Sequence, residues 1–109
     1  MIEKVYHITF AVSDVKETVA FYENVLGLQK RGDWSNYAEF DVGGVHFGFE
    51  QKGMLEIFLL VDDVDKAYAS LKKKGVKFVS EPKNMHWGAR AATFVDPDGN
   101  KFTIEHFKK

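Results

Sequence analysis

The sequence predicts an α+β protein built from two tandem βαβββ modules, and three observations carry that prediction. Two strand-to-helix junctions repeat, H-I-T-F-A-V-S-D-V at residues 7–15 aligning with E-I-F-L-L-V-D-D-V at residues 56–64. Two hairpins repeat as well, F-D-V-G-G-V-H-F-G-F-E at residues 40–50 aligning with V-D-P-D-G-N-K-F-T-I-E at residues 95–105. Each half also places a run of helical period directly after its first run of period 2. A duplication this long specifies a supersecondary unit rather than a short motif. The 109-residue chain therefore reads as one domain of two modules, about residues 1–51 and 52–109.

The elements follow in order. Residues 3–12 alternate bulky Tyr6, Ile8, Phe10 and Val12 with smaller His7, Thr9 and Ala11, the pattern of a strand with one face on a core. Asp14 with Glu17 three residues on marks a capped start. Val15, Val19, Tyr22 and Leu26 then recur at helical spacing up to Gly27, which predicts a helix over residues 14–26. Residues 28–34, 36–42 and 45–51 read as strands, the last two joined at Gly43-Gly44, where a two-residue hairpin requires positive φ. The second module repeats the order with a strand over 55–61 and a helix over 63–74, whose apolar face is Val64, Ala67, Tyr68 and Leu71. A strand over 76–80 and a loop over 81–88 come next. A closing hairpin, 89–96 and 101–107, then turns at Asp96-Pro97-Asp98-Gly99-Asn100.

Composition narrows the function classes. A net charge of −1 leaves no basic stripe for nucleic acid. The absence of cysteine removes disulfides, thiolate ligands and thiol nucleophiles. No secretory core or membrane-length apolar run is present, so no membrane partner is expected and the cytoplasm is the expected location. A chain this short buries only part of its surface on folding, which favours a homodimer.

The duplication also aligns chemistry. His7 falls on Glu56 and Glu50 falls on Glu105, so four ligand-type side chains occupy two pairs of equivalent strand positions. Bulky Ile8, Phe10, Phe47, Phe49, Ile57, Leu59, Phe102 and Ile104 take the alternate face, under the helices, and leave the four on the face turned away from them. A carboxylate within an apolar strand is costly unless solvated, paired or metal-bound, and three converging carboxylates need a cation to stay ionised. Ordinary roles compete: a hydrogen-bonded strand histidine for His7, and solvated rim positions for the glutamates. Phe58, Leu60 and Trp87 serve either as core or as an apolar ligand wall, and Arg90 either as an ion-pair partner or as a reader of an anionic substrate. His46, His86 and His106 read as surface residues.

Further marks are A-F-Y-E-N-V-L-G-L at residues 20–28, V-D-D-V at 61–64, and W-G-A-R at 87–90 running on to D-P-D-G-N and I-E. With His7-Ile8 at the start, these spacings make the whole chain resemble the vicinal oxygen chelate superfamily, which includes glyoxalase I, methylmalonyl-CoA epimerase, fosfomycin-resistance enzymes, extradiol dioxygenases and bleomycin-resistance proteins. The resemblance implies modules forming a cup-shaped, curved mixed sheet with helices on its outer face. It also implies one divalent cation (Mn, Ni, Zn or Fe(II)) held by His7, Glu50, Glu56 and Glu105. Glu56 departs from the histidine usual at its position, which shifts the donor set toward harder ions. Two readings follow. One is a metal-dependent lyase or isomerase acting on a small oxygenated metabolite through an enediolate, with Glu105 or Glu50 as the base and Phe58, Leu60, Trp87 and Arg90 lining the pocket. The other is a binding protein without metal, similar to the bleomycin-resistance group, that sequesters an aromatic or cationic molecule.

Overall fold

Both helices start where an aspartate side chain takes over from extended backbone. In the computed structural model, which describes residues 1–107, Asp14 (φ −146°) accepts the Glu17 N–H at 3.2 Å, and Asp63 (φ −152°) accepts the Lys66 N–H at 3.1 Å. Each cap satisfies a donor that the first helical turn leaves without a partner.

In the first module, strand β1 (Ile2–Ala11) leads into helix α1 (Val15–Ala20), followed by β2 (Gln29–Trp34), β3 (Tyr37–Val42) and β4 (Val45–Glu50). The strand order is β2-β3-β4-β1, antiparallel except for the parallel pair β1 and β4. The helix expected to run to Leu26 is α-helical only to Ala20. Phe21–Val25 widen into a π-helical turn in which the Leu26 N–H reaches the Phe21 carbonyl at 3.0 Å. The extra residue per turn rotates the helix phase, so Leu26, expected on the core face, is half exposed. Val15 and Val19 pack on Ala38, Phe40 and Phe49, with Phe10, Phe47 and Tyr22 around them. At roughly 25 cal/mol per Å² of apolar area, each fully buried phenylalanine contributes about 1.5–3 kcal/mol.

The second module repeats the plan with β5 (Glu56–Val61), α2 (Val64–Lys73), β6 (Lys77–Asn84), β7 (Ala89–Val95) and β8 (Lys101–Phe107) in the order β5-β8-β7-β6, with β5 and β8 parallel. Its core is Val61, Val64, Ala67, Ala92 and Ile104. The α+β class and the βαβββ order of both modules match the expectation.

One element does not match. The loop expected over residues 81–88 is half strand, because β6 continues to Asn84 and only residues 85–88 turn, closed by the Met85 N–H to Ala89 carbonyl bond at 2.7 Å. Pro82 suggested a loop, yet it lies where the β6–β7 register shifts between Ser80 and Lys83. An outermost strand tolerates a missing N–H at such an irregularity.

Two compact units emerge, Tyr6–Leu55 and one that begins at Glu56 and takes in Met1–Val5. The register accounts for the early residues: β1 pairs with β4 only from His7 to Ala11. The expected end of the second module, Lys109, lies outside the described residues.

Candidate functional site

Parallel register decides which side chains meet. On β1 and β4, His7 lies opposite His46 and Ala11 opposite Glu50, while on β5 and β8, Glu56 lies opposite Lys101 and Leu60 opposite Glu105. The two candidates within each module are therefore offset by four residues, about 13 Å at roughly 3.3 Å per residue. Side chains offset this far do not hydrogen-bond one another directly. The residues that do approach are two positions earlier, at Gly48 and Thr103.

In the first module the His7 imidazole hydrogen-bonds Thr9 through Nε2 and Oγ1 at 3.0 Å, and its Nδ1 faces the Glu39 carboxylate at 3.8 Å. Glu39 is the local hub, accepting from Tyr37 Oη at 2.7 Å and from Arg31 at 2.6 Å. Burial and the bond to Glu39 push the Tyr37 phenol far above its ordinary value. Gly48 leaves room for this arrangement, because a Cβ there would lie 2.5 Å from Tyr37 Oη and 2.9 Å from His7 Nε2. Glu50 turns elsewhere, its Oε1 lying 2.5 Å from where a Cβ on Gly53 would be. Strand alternation placed Glu39 on the same face as His7, and that signal was open to sequence reasoning, which missed it.

In the second module Thr103 donates to Glu56 Oε2 at 2.5 Å, and Lys101 Nζ pairs with Oε1 at 3.3 Å. A carboxylate accepts only, so the Thr103 proton is committed to Glu56. Thr93 must then donate to Thr103 Oγ1 at 2.8 Å. Glu105 is buried, 1% exposed, and receives the Trp87 indole N–H at 3.3 Å. Burial pushes its carboxyl up to about 7.

A cavity of about 360 Å³ opens on this face, with an apolar wall of Phe58, Val79, Met85, Trp87 and Ala91. Its polar side is Glu56, Lys101, Thr103 and Thr93, with Ser80 and Lys83 at the β6 edge. Of the expected pocket residues, Phe58 and Trp87 line this cavity, and Leu60 is not part of the lining. Arg90 takes the ion-pair role of its two: it shares a strand face with Ala92, on the helix side, and grips Asp65 of α2 through Nε and Nη2 at 2.8 and 2.9 Å. The Arg90 hydrogen bonds hold the Asp65 carboxyl below its ordinary value. His106 is likewise no surface bystander, for its Nδ1 accepts the Val64 N–H at 2.8 Å and caps α2 beside Asp63.

The donor set does not fit the expected divalent cation. Glu56 is engaged by Thr103 and Lys101, Glu50 turns to Gly53, Glu105 turns to Trp87, and His7 Nε2 is hydrogen-bonded to Thr9. Among the described residues no three His, Asp or Glu side chains gather into a metal-holding group. No helix among them is long and apolar enough to cross a membrane.

Comparison with known proteins agrees with the fold. A solved structure, the Mn(II)-bound glyoxalase from Novosphingobium aromaticivorans, superposes with a TM-score of 0.78 at 26% identity over 95% of this chain and 38% of that one. Bacillus subtilis YraH is 37% identical, over 93% of this chain and 96% of its own length. The metallothiol transferase FosB of Lysinibacillus sphaericus is 28% identical, over 93% of this chain and 80% of its own. The family model for the glyoxalase/bleomycin resistance protein/dioxygenase superfamily matches residues 4–53 and again residues 46–104, and the chain belongs to that superfamily.

Proposed function

We propose that the protein binds a small organic molecule in the cavity of its second module, and does so without a metal chelate. The observation that carries this reading is the cavity itself, where an apolar wall including Phe58, Met85 and Trp87 faces a Glu56 carboxylate already balanced by Lys101 and Thr103. A few polar groups aimed into a concave, mostly apolar surface of this volume are the usual makings of a small-molecule site. Relatives whose names include a metallothiol transferase and an Mn(II)-bound glyoxalase favour metal-dependent chemistry, the lyase or isomerase of the first reading among its forms. A cation held by His7, Glu50, Glu56 and Glu105 needs these four to converge, whereas His7 is bonded to Thr9, Glu56 to Thr103 and Lys101, and Glu105 to Trp87. We also read the protein as a homodimer, supported by the half-exposed apolar side chains Trp34, Met54 and Leu55 on a chain of only 109 residues.

The test is titration of a Trp34→Phe protein, which leaves Trp87 as the reporter, with a panel of quinoline and naphthalene derivatives in the presence of EDTA. The expected result is saturable change in Trp87 emission that EDTA leaves intact, with affinity lost in Trp87→Phe when followed by calorimetry. Binding that appears only after Mn, Ni, Zn or Fe(II) is added, at one ion per chain, overturns the reading.

A further inference from the structure

Resting on the cavity reading above, we infer that the ligand class is a monoanion with a ring-sized apolar body, such as an aromatic carboxylate, which keeps the aromatic and sets aside the cationic of the two ligand types expected from the sequence. Three charged side chains line the cavity: Glu56, Lys101 and Lys83. Glu56 is satisfied, with Thr103 on one oxygen and Lys101 on the other, so it offers no free charge to a cationic ligand. Lys83 forms no ion pair with any described residue. The lining thus has one positive charge in excess.

Thr103 gives its proton to Glu56, and Thr93 gives its own to Thr103. Ser80 donates to the Glu81 carbonyl at 3.3 Å. Every hydroxyl proton of the lining is already given away, so the donors left for a ligand are the ammonium protons of Lys83 and the spare ones of Lys101. Both are suited to a carboxylate or similar oxyanion, as point charges on flexible stems. Glu105, the other acidic group on this strand face, turns to Trp87 and is not part of the lining. In the same lining, Phe58, Met85 and Trp87 supply an apolar wall with two aromatic planes, which suits a flat body.

Calorimetry on the full chain with three probes of one shape tests this: 2-naphthoate, 2-naphthamide and 2-naphthylmethylammonium. Naphthoate should bind about tenfold or more tightly than the ammonium compound at low salt, with the gap narrowing as salt rises. Lys83→Gln, at an exposed position that folding does not depend on, should weaken naphthoate several-fold and leave naphthamide unchanged. Lys101→Met should do the same or more. If the ammonium compound binds as well as naphthoate, or if neither lysine variant alters naphthoate affinity, the charge assignment is overturned. Binding of naphthamide that depends on Trp87 would in that case keep the cavity reading alive. If none of the three probes binds, the cavity reading and this inference fall together.

Discussion

At the scale of single residues, Glu105 carries the clearest pH signature. Its carboxyl, with an ordinary value of 4.5, is pushed up to about 7 by burial. Below the ordinary value it is protonated in folded and unfolded chains alike. Between there and about 7 the unfolded chain loses the proton while the folded chain keeps it, so stability falls as pH rises through that window. The fall is roughly 3 kcal/mol at most. Glu105→Gln should remove this slope and leave the variant more stable than the wild type at pH 8. Urea unfolding at pH 5 and pH 8 checks it, and an unchanged slope would show that another group is responsible. Gly48 gives a second residue-scale prediction. Gly48→Ala should cost about 1–3 kcal/mol, because the new methyl forces Tyr37 Oη and His7 Nε2 off their present positions. Thermal unfolding reads that loss. These residues also show where sequence reasoning stopped. The repeat correctly aligned His7 with Glu56 and Glu50 with Glu105 as equivalent positions. Equivalence between modules does not fix which side chains meet within a module, since that depends on the register between two parallel strands far apart in sequence, where no tight turn pins the pairing.

At the scale of elements, most of the chain was legible, because caps and periodicity act locally. Asp14 and Asp63 announced both helices, and the Gly43-Gly44 turn, with φ of 60° and 89°, announced its hairpin. What escaped depended on neighbours. The π-helical turn after Ala20 and the extension of β6 past Pro82 answer to the sheet beneath and beside them, and the surrounding sequence has no period that marks either. Helix α2 shows how local and distant signals combine, with one amide capped by Asp63 and another by His106 from a strand 42 residues away. Asp63→Ala should cost about 1 kcal/mol, read by chemical denaturation. A cost near zero would mean that His106 alone suffices. Arg90→Gln, which breaks a contact on the helix face, should leave naphthoate affinity unchanged. Any loss would return Arg90 to the ligand side.

For the whole molecule, light scattering at micromolar concentration should give twice the 12.5 kDa chain mass. A mass of one chain removes the homodimer and leaves Trp34, Met54 and Leu55 facing water. The arrangement of β2 and β6 has a separate consequence for how copies avoid one another. Each is the outermost strand of its module, and each breaks register, β2 between Lys30 and Gly32 and β6 between Ser80 and Lys83. Pro82 in addition offers no N–H. A strand from a second chain finds neither an unbroken row of donors and acceptors nor a flat ribbon to copy, so both flanks are poor templates for cross-β growth. Concentrated solutions should therefore stay clear on prolonged warming below the melting point. Pro82→Val, which restores an amide on an exposed flank, should shorten the lag before thioflavin-positive fibrils appear.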